Sequence, residues 1–500
     1  MAKTLFKNRR PGLSLIGSAA LLVVLTGCSM IPTYERPAAP VAAEWPAFGT
    51  SANTAASSTV PAAADIEWQS FFNDPQLRLL IDASLRNNRD LRVAVLNIEQ
   101  ARAQFRIARA DQFPTIGAGL TGSRQTVRTA SGDRTIQSTY SAGLTLTAYE
   151  LDFFGRVASL KEAALAQYLA TEEGRKSAQI SLIATVANTY LALLADEELL
   201  AITQQTLASR EESFRLAKLR FDNGVTSELE FRQAESLSEA ARVSLAQLVR
   251  QRALDQNALT LLVGQPLTGE LAAALPANKT LSDTPMMAEV PAGLPSDLLT
   301  RRPDVRQAEQ QLLAANANIG AARAAFFPNI SLTASAGSAS SHLSDLFKSG
   351  SFGWSLAPQL LLPIFDAGRN QAGLASANAQ RDIAIAQYEK SIQVAFQEVS
   401  DALAGRATFG EQLRAQQAQA NAEATRFRLA DLRYQNGVAS YLDQLDAQRS
   451  LFAARQAVVE VRLAQLQSQV TLYRTLGGGW KEPVTVGAAT TTNTTATATR

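Results

Sequence analysis

Chemistry in a protein begins with the side chains able to carry it, and here they are few. Among 500 residues there is one histidine, His342, and one cysteine, Cys28. That excludes a disulfide within the chain, a clustered Cys/His metal site, and any Cys–His or Ser–His catalytic pair that does not use His342. His342 lies in a Ser/Gly-rich stretch, 335–351, and reads as an ordinary loop residue. The formal net charge is +2, so no large electrostatic pull toward nucleic acid is implied. No window combines a basic stripe with interleaved aromatics in a recognition fold. Neither an enzyme, a metal site nor a nucleic-acid partner is expected.

The cysteine has a different use. Lys3, Lys7, Arg9 and Arg10 form a basic n-region, and 13–25 is an apolar h-region too short to be a good membrane span. Leu25-Thr26-Gly27-Cys28 then resembles a bacterial lipoprotein signal, in which the cysteine is acylated and becomes the mature N-terminus. Ser29 stands where inner-membrane lipoproteins typically carry aspartate, which favours an outer-membrane destination. The alternative is an ordinary secretory signal with an incidental cysteine. As a lipid attachment point Cys28 leaves no reactive thiol in an oxidising compartment. The acyl/diacylglycerol lipid is the only prosthetic group expected. On this reading 1–27 is a signal peptide and 28–64, rich in Ala, Pro, Ser and Thr, is a lipid-anchored linker without a core of its own.

The elements that follow are unusual in length. Asp74-Pro75 reads as a helix start with Leu77, Leu80, Ile81 and Leu85 on one face. Asn87-Asn88 breaks it, and a second helix runs from Leu91 to about Gln112. Phe113-Pro114 ends that helix, because proline cannot continue it and pushes its predecessor to extended geometry. Alternation at Ile116, Ala118 and Leu120, and again from Tyr140 to Ala148, predicts two strands joined by a polar turn. Gly155-Arg156 opens a helix of about 65 residues, ~100 Å at 1.5 Å per residue. It carries two adjacent apolar stripes, Ile180/Ala184/Ala187/Leu191/Leu194 and Ile183/Val186/Tyr190/Leu193, so it can touch neighbours on both sides. Asn223-Gly224 is a helix stop, and a return helix runs from about Ser227 to Val263.

The pattern then repeats. After a loop-rich crossover, 266–295, Arg301-Arg302-Pro303-Asp304 begins a helix with proline in its first turn. Phe327-Pro328 precedes two more strands, Ile330 to about Ala336 and Trp354 to Leu362. A long helix from Arg369, a turn at Asn436-Gly437 and a last helix to Leu476 complete the second half. Corresponding landmarks are offset by 213 or 214 residues, which identifies a duplication: 65–265 and 296–480, with a tail at 481–500 that reads as disordered. In the last helix Leu445, Phe452, Val459, Leu466 and Tyr473 recur by sevens, a left-handed supercoil pattern. The fold class is mainly α with a smaller β part of four strands, each half being strand, strand, long helix, long helix. Four strands cannot close a barrel with any interior, and open sheet edges do not survive in lipid. The strands must therefore pair with other copies of the chain or lie outside the membrane.

The lipoprotein signal, Trp68…Phe71-Phe72…Asp74-Pro75, the Phe-Pro pair at each helix-to-strand junction, Arg301-Arg302-Pro303-Asp304, and Leu432-Arg433-Tyr434…Asn436-Gly437-Val438…Leu445-Asp446-Ala447-Gln448 together resemble the TolC-type outer-membrane channel family, in its lipid-anchored OprM-like branch. The resemblance covers about Cys28 to Trp480 in order. It implies a homotrimer with a twelve-stranded β-barrel in the outer membrane and a twelve-helix α-barrel crossing the periplasm. It also implies a periplasmic adaptor and an inner-membrane transporter of the resistance-nodulation-division (RND) type as partners. The function it implies is a passive exit duct for drugs or other small toxic compounds.

The resemblance also implies where control lies. Leu442 matches the leucine of an apolar constriction and Asp446 an acidic ring one helical turn on. Three leucines at an axis can exclude water, and three carboxylates can select or bind cations. Arg433 and Tyr434 match positions that tether the inner hairpin to the outer one, with Asp222, Glu228 and Glu230 as candidate partners. Gln435 stands where relatives often carry arginine and Ala439 where a carboxylate can occur, so this chain departs from the family pattern at those two and lacks the charges for a salt-bridge lock through them. The bland readings are a solvated heptad position for Asp446, packing at the hairpin base for Leu442, and a core aromatic for Tyr434. Alternative functions are a type I protein-secretion or metal-efflux duct, the latter disfavoured because no methionine cluster lies near the turn, and a lipid-anchored structural coiled-coil protein.

Overall fold

The computed structural model describes residues 29–46 and 62–481, apart from 129, 131, 277, 278, 286 and 294. The signal peptide, the lipidation candidate Cys28, much of the linker and 482–500 lie outside the described residues. The main elements are α1 (Pro75–Asn87), α2 (Arg89–Ala110), β1 (Ile116–Arg128), β2 (Arg134–Glu150), α3 (Arg156–Asp222), α4 (Glu228–Val263), α5 (Pro303–Ala324), β3 (Asn329–Ser340), β4 (Phe352–Leu361), α6 (Arg369–Gln435) and α7 (Tyr441–Thr475). Short helical turns occur at Trp68–Phe71, Glu270–Ala273 and Leu298–Arg301. Both α3 and α6 have 67 residues, against 36 and 35 for the return helices α4 and α7. The chain divides into two compact units, and α2, α3, α5 and α6 each run from one into the other.

The first unit holds the four strands, ordered β1-β2-β3-β4 and all antiparallel. Register determines its chemistry. One face reads Leu120–Ala142–Ser338–Phe352, then Ala118–Leu144–Ala336–Trp354, then Ile116–Leu146–Ala334–Leu356 across the sheet. The opposite face reads Gly119–Gly143–Gly337–Gly353 and Gly117–Thr145–Ser335–Ser355. One face is therefore an apolar band and the other small and polar, with hydroxyl pairs at Thr121–Ser141 (2.6 Å) and Ser335–Ser355 (2.8 Å). Strand β2 approaches β3 so closely that a Cβ at Gly143 would lie 2.5 Å from the Ala336 carbonyl oxygen. A register shift between Leu146 and Tyr149 bends β2, with Ala148 at φ 48°. Every residue of β1 and β4, the outer strands, is exposed.

Strand β3 runs to Ser340, four residues past the expected end. The run from Ser335 to Ser340 is too small and polar to read as a strand on composition. Its pairing with β2, from Ser335↔Thr145 to Ser340↔Tyr140, overrides that weak local preference. The supposed linker also differs from expectation. Within the first unit Arg36 donates two bonds to Glu309 of α5, at 2.7 and 3.0 Å, and Tyr34 donates a third at 3.1 Å. The Asn316 amide donates to the Pro32 carbonyl at 2.9 Å. In the second unit Trp45 stacks on Phe396 with centroids 4.9 Å apart. A segment without a core of its own is held by polar partners on other elements, which composition does not reveal.

The second unit has the larger apolar core. Both predicted stripes of α3 are buried throughout, from Ile180 to Leu194. That stretch is apolar enough to cross a membrane by composition, but it is mostly covered by protein. Asp74 caps α1, accepting from the Gln76 and Leu77 N–H groups, and also accepts from the buried Tyr190 hydroxyl at 3.0 Å. Burial and the adjacent Asp74 push the Tyr190 pKa up. Phe71 stacks on Tyr473 at 4.0 Å, with Phe72 edge-on to both. Arg302 is buried, binding Asp304, Glu398 (2.8 Å) and the Thr475 carbonyl (3.0 Å). Lys481 pairs with Asp65, so the residue taken as the start of a disordered tail is held in place.

The duplication is visible in a shared device. Gly264 ends α4 at φ 75°, and a Cβ there would lie 2.4 Å from the Asn87 carbonyl oxygen. Gly477 follows α7 at φ 83°, and a Cβ there would lie 2.8 Å from the Arg301 carbonyl oxygen. Each return helix thus ends against the break just before the helix that leads into its own repeat's strands, α2 for Gly264 and α5 for Gly477. We expect Gly264→Ala to destabilise the protein by about 2 kcal/mol through strain at positive φ plus the clash, read as a lowered thermal midpoint. An unchanged midpoint would show that the backbone at Asn87 gives way easily.

A second consequence follows from Asp196 of α3, a buried carboxyl hydrogen-bonded to Asp255 of α4. Burial first, and then Asp255, raise its pKa from 3.8 to about 7, with Glu197 adding to the rise and Arg252 opposing it. Between these values the folded chain holds a proton that the unfolded chain releases. This contribution to stability is therefore fully present below pH 3.8 and lost as the pH climbs to about 7. Thermal midpoints of the wild type should fall across that window relative to Asp196→Asn, whose profile lacks this component; parallel profiles would refute the shift.

Candidate functional site

The two helix hairpins end in near-identical turns, and their geometry follows from the sequence. Asn223-Gly224 and Asn436-Gly437 place glycine at φ 70° and 72°. In each, the glycine N–H and the next N–H bond back to the helix, Gly224 to Phe221 and Val225 to Arg220, Gly437 to Tyr434 and Val438 to Arg433. These are Schellman closures, which satisfy carbonyls otherwise left open at a helix end. Both asparagine amides donate to the carbonyl four residues back, at 2.7 Å. Ser227 then caps α4, while Ser440 and Asp443 form a reciprocal capping box on α7.

Just inside the turns the two hairpins meet. Ala217, Ala234, Leu237, Tyr441 and Leu445 form a buried cluster, with Phe214 and Tyr434 packed on it. Tyr434 and Tyr441 are 5.4 Å apart. The Tyr434 hydroxyl accepts from Arg220 of the first hairpin at 2.6 Å. Farther along, Gln448 donates to Ser209 at 3.2 Å. Burial, and then Tyr434 and Glu230, push the Tyr441 hydroxyl up to about 12, so it stays neutral. Burial also raises Tyr434, against the pull of Arg220.

Of the residues singled out, Tyr434 is brought to a partner on the other hairpin, and that partner is Arg220. None of the three acidic candidates supplies the link. Asp222 pairs with Lys218 at 3.0 Å, Glu228 with Arg232 at 3.4 Å, and Glu230 accepts from Thr226. Each sits four residues from its partner, which captures it locally. Arg433 acts through its carbonyl, and its side chain forms no hydrogen bond or ion pair among the described residues. Arg220 was missed although the repeat marks it, since it occupies in the first hairpin the position of Arg433 in the second.

Leu442 is 57% exposed and sits two residues into α7, next to the buried Tyr441. Its counterpart Leu229 is 66% exposed, so both return helices present a leucine to their surroundings. Asp446 is exposed and paired with Arg426 of α6, which also reaches Ser450 at 3.3 Å. The carboxylate is therefore engaged within its own hairpin. Gln435 donates to Asp431 at 2.7 Å, and Gln444 donates to the other oxygen of the same carboxylate at 2.6 Å. An arginine at 435 would have brought a cation here; the glutamine keeps a neutral bridge. No cluster of three or more potential metal ligands occurs among the described residues.

The model of the outer membrane efflux protein family matches residues 80–265 and 294–478, the two halves of the duplication. The chain belongs to the outer membrane efflux protein family. The antibiotic efflux pump outer membrane protein ArpC of Pseudomonas putida is 51% identical over 472 residues, 94% of this chain and 96% of the relative. The toluene efflux pump outer membrane protein TtgC of the same species matches to the same extent. The open state of the Neisseria gonorrhoeae MtrE outer membrane channel is 41% identical, with a TM-score of 0.80 over 91% of this chain and 99% of that one. This efflux protein is thus an outer-membrane channel, and its amphipathic sheet is the part suited to lipid. Fold, repeat and location agree with the resemblance read from the sequence.

If the Arg220–Tyr434 contact couples the hairpins, Tyr434→Phe and Arg220→Ala should each speed amide hydrogen exchange across 430–445, and the double variant should add little to either. Additive effects would show that the two side chains act separately.

Proposed function

We propose that the protein is the passive exit duct of a tripartite efflux pump and works as a homotrimer. The sheet carries the argument. It has an apolar band on one face and two unpaired edge strands, and in hydrocarbon such edges must be closed. Three copies would supply a twelve-stranded barrel with the small, polar face lining the lumen, and twelve long helices to continue it. The partners on this reading are a periplasmic adaptor and an inner-membrane RND transporter, which supplies the energy. The cargo is drugs or other small toxic compounds, supported by relatives whose names carry antibiotic and toluene efflux. Cys28 carries the lipid that anchors the N-terminus in the outer membrane.

The gate on this reading is the hairpin ends. Leu442 forms the apolar constriction and Asp446 the acidic ring, with Tyr434 and Arg433 at the tethering positions. The geometry favours Tyr434 with Arg220 as the link that resists separation of the hairpins. Arg426 offsets the charge of Asp446, so cation binding at the ring competes with an ion pair already present. Leu442→Ala with Asp446→Ala should raise the single-channel conductance of the purified trimer in planar bilayers. Unchanged conductance would remove these residues from the gate, and no discrete channels at all would favour a structural protein instead.

A further inference from the structure

We propose that a groove beneath the strand ends holds a fatty acyl chain carried by Cys28 of the same protomer. This rests on the reading of Cys28 as the lipidated residue. The described chain starts at Ser29, which forms part of the wall of a cavity of about 290 Å³ together with Asp111, Gln112, Tyr149 and Asp152. Glu150 and Asp152 also wall a second cavity, of about 310 Å³, so the two are neighbours. The second is the more apolar, with Phe153, Phe154, Phe327, Ile330 and Leu361 around it, and Asn329, Asp366 and Asn370 at the same wall. Phe154 and Phe327 stack at 4.8 Å and form a flat apolar wall. Arg156, the cation bordering the groove at its start, is committed to Glu150 by two bonds.

The surroundings point to lipid. After β4 the chain presents Ile364 and Phe365 at 94% and 89% exposure, an arrangement unfavourable in water and favourable beside hydrocarbon. The groove borders Ile330 and Leu361, at the start of β3 and the last residue of β4, a few residues before Ile364 and Phe365. The first cavity, where Asp111, Gln112 and Asp152 stand beside Val157 and Ala158, offers partners for the amide next to an acylated cysteine, and the Phe154–Phe327 wall of the second offers contact to a methylene chain. Arg369 also borders the groove, which makes a free phospholipid the competing occupant. Position decides for the tethered chain. Cys28 is one residue from Ser29, a span of at most about 3.6 Å. A chain attached there reaches the groove at a high effective concentration that a free lipid cannot match.

The test uses the full chain purified from outer membranes of cells fed a fatty acid bearing a mid-chain diazirine. Intact mass first shows whether Cys28 is acylated. After irradiation, mass spectrometry of the digest should find the Cys28 peptide joined through its acyl chain to peptides containing Phe154, Phe327 or Ile330. Phe327→Ser should lower that yield several-fold without changing the lipid mass. Groove residues joined only to phospholipid, with Cys28 acylated, would overturn the groove assignment and leave the anchor standing. An unmodified Cys28 would overturn both.

Discussion

Backbone groups at the edge of a sheet need partners, and hydrocarbon supplies none. This chain makes a sheet of four strands whose register gathers apolar residues on one face from Ile116 to Leu356 and glycine, serine and threonine on the other. A sheet of that kind is unstable in water, where the apolar band is exposed, and unstable in lipid, where β1 and β4 are open. Self-association in the membrane resolves both, since strands from other copies close the edges and lipid covers the band. The duplicated chain suits that solution, because each repeat contributes the same two strands and the same two long helices.

The helices meet a different requirement. A 67-residue helix has too little intrinsic stability to persist alone as a rigid rod, and most helical stability comes from packing. Here α3 buries two adjacent stripes rather than one, so it is supported on two sides. The ends are closed locally, by glycine at positive φ, asparagine side chains and serine caps. The break between α1 and α2 and the approach to α5 each receive a glycine from a returning helix, Gly264 and Gly477. These contacts, together with Arg302 and the Phe71–Tyr473 stack, tie the repeat ends together within the second unit. The hairpin ends of the same unit rest on one small buried cluster, the Arg220–Tyr434 bond and the Gln448–Ser209 bond.

Electrostatics at the hairpin ends is mostly local. Lys218, Arg232 and Arg426 each have a carboxylate within their own hairpin, and exposed pairs of this kind contribute little to stability. They do limit which charges are available to a partner or a cation. Arg220 is the exception, spending its guanidinium on the other hairpin. Gln435 bonds to Asp431 within its own helix, and the polar links between hairpins join a phenol to a cation and an amide to a hydroxyl rather than an acid to a base.

The sequence by itself determined the elements, their order and their duplication. Proline, glycine and asparagine punctuate at fixed offsets, and periods of 2 and 3.6 are local properties that survive without knowledge of the partner. For the same reason the helix starts at Asp74 and Ser227 and both turns were legible. The longer β3 was not, because small residues such as Ser335 and Gly337 become a strand only through pairing with β2. Nor was the fastening of 29–46, where Arg36 meets a carboxylate 273 residues away. The partner of Tyr434 is 214 residues away, and nearer carboxylates looked equally suitable until the helices fixed their directions. Partners of polar side chains are decided by where packed backbones bring them, and that is a property of the tertiary structure alone.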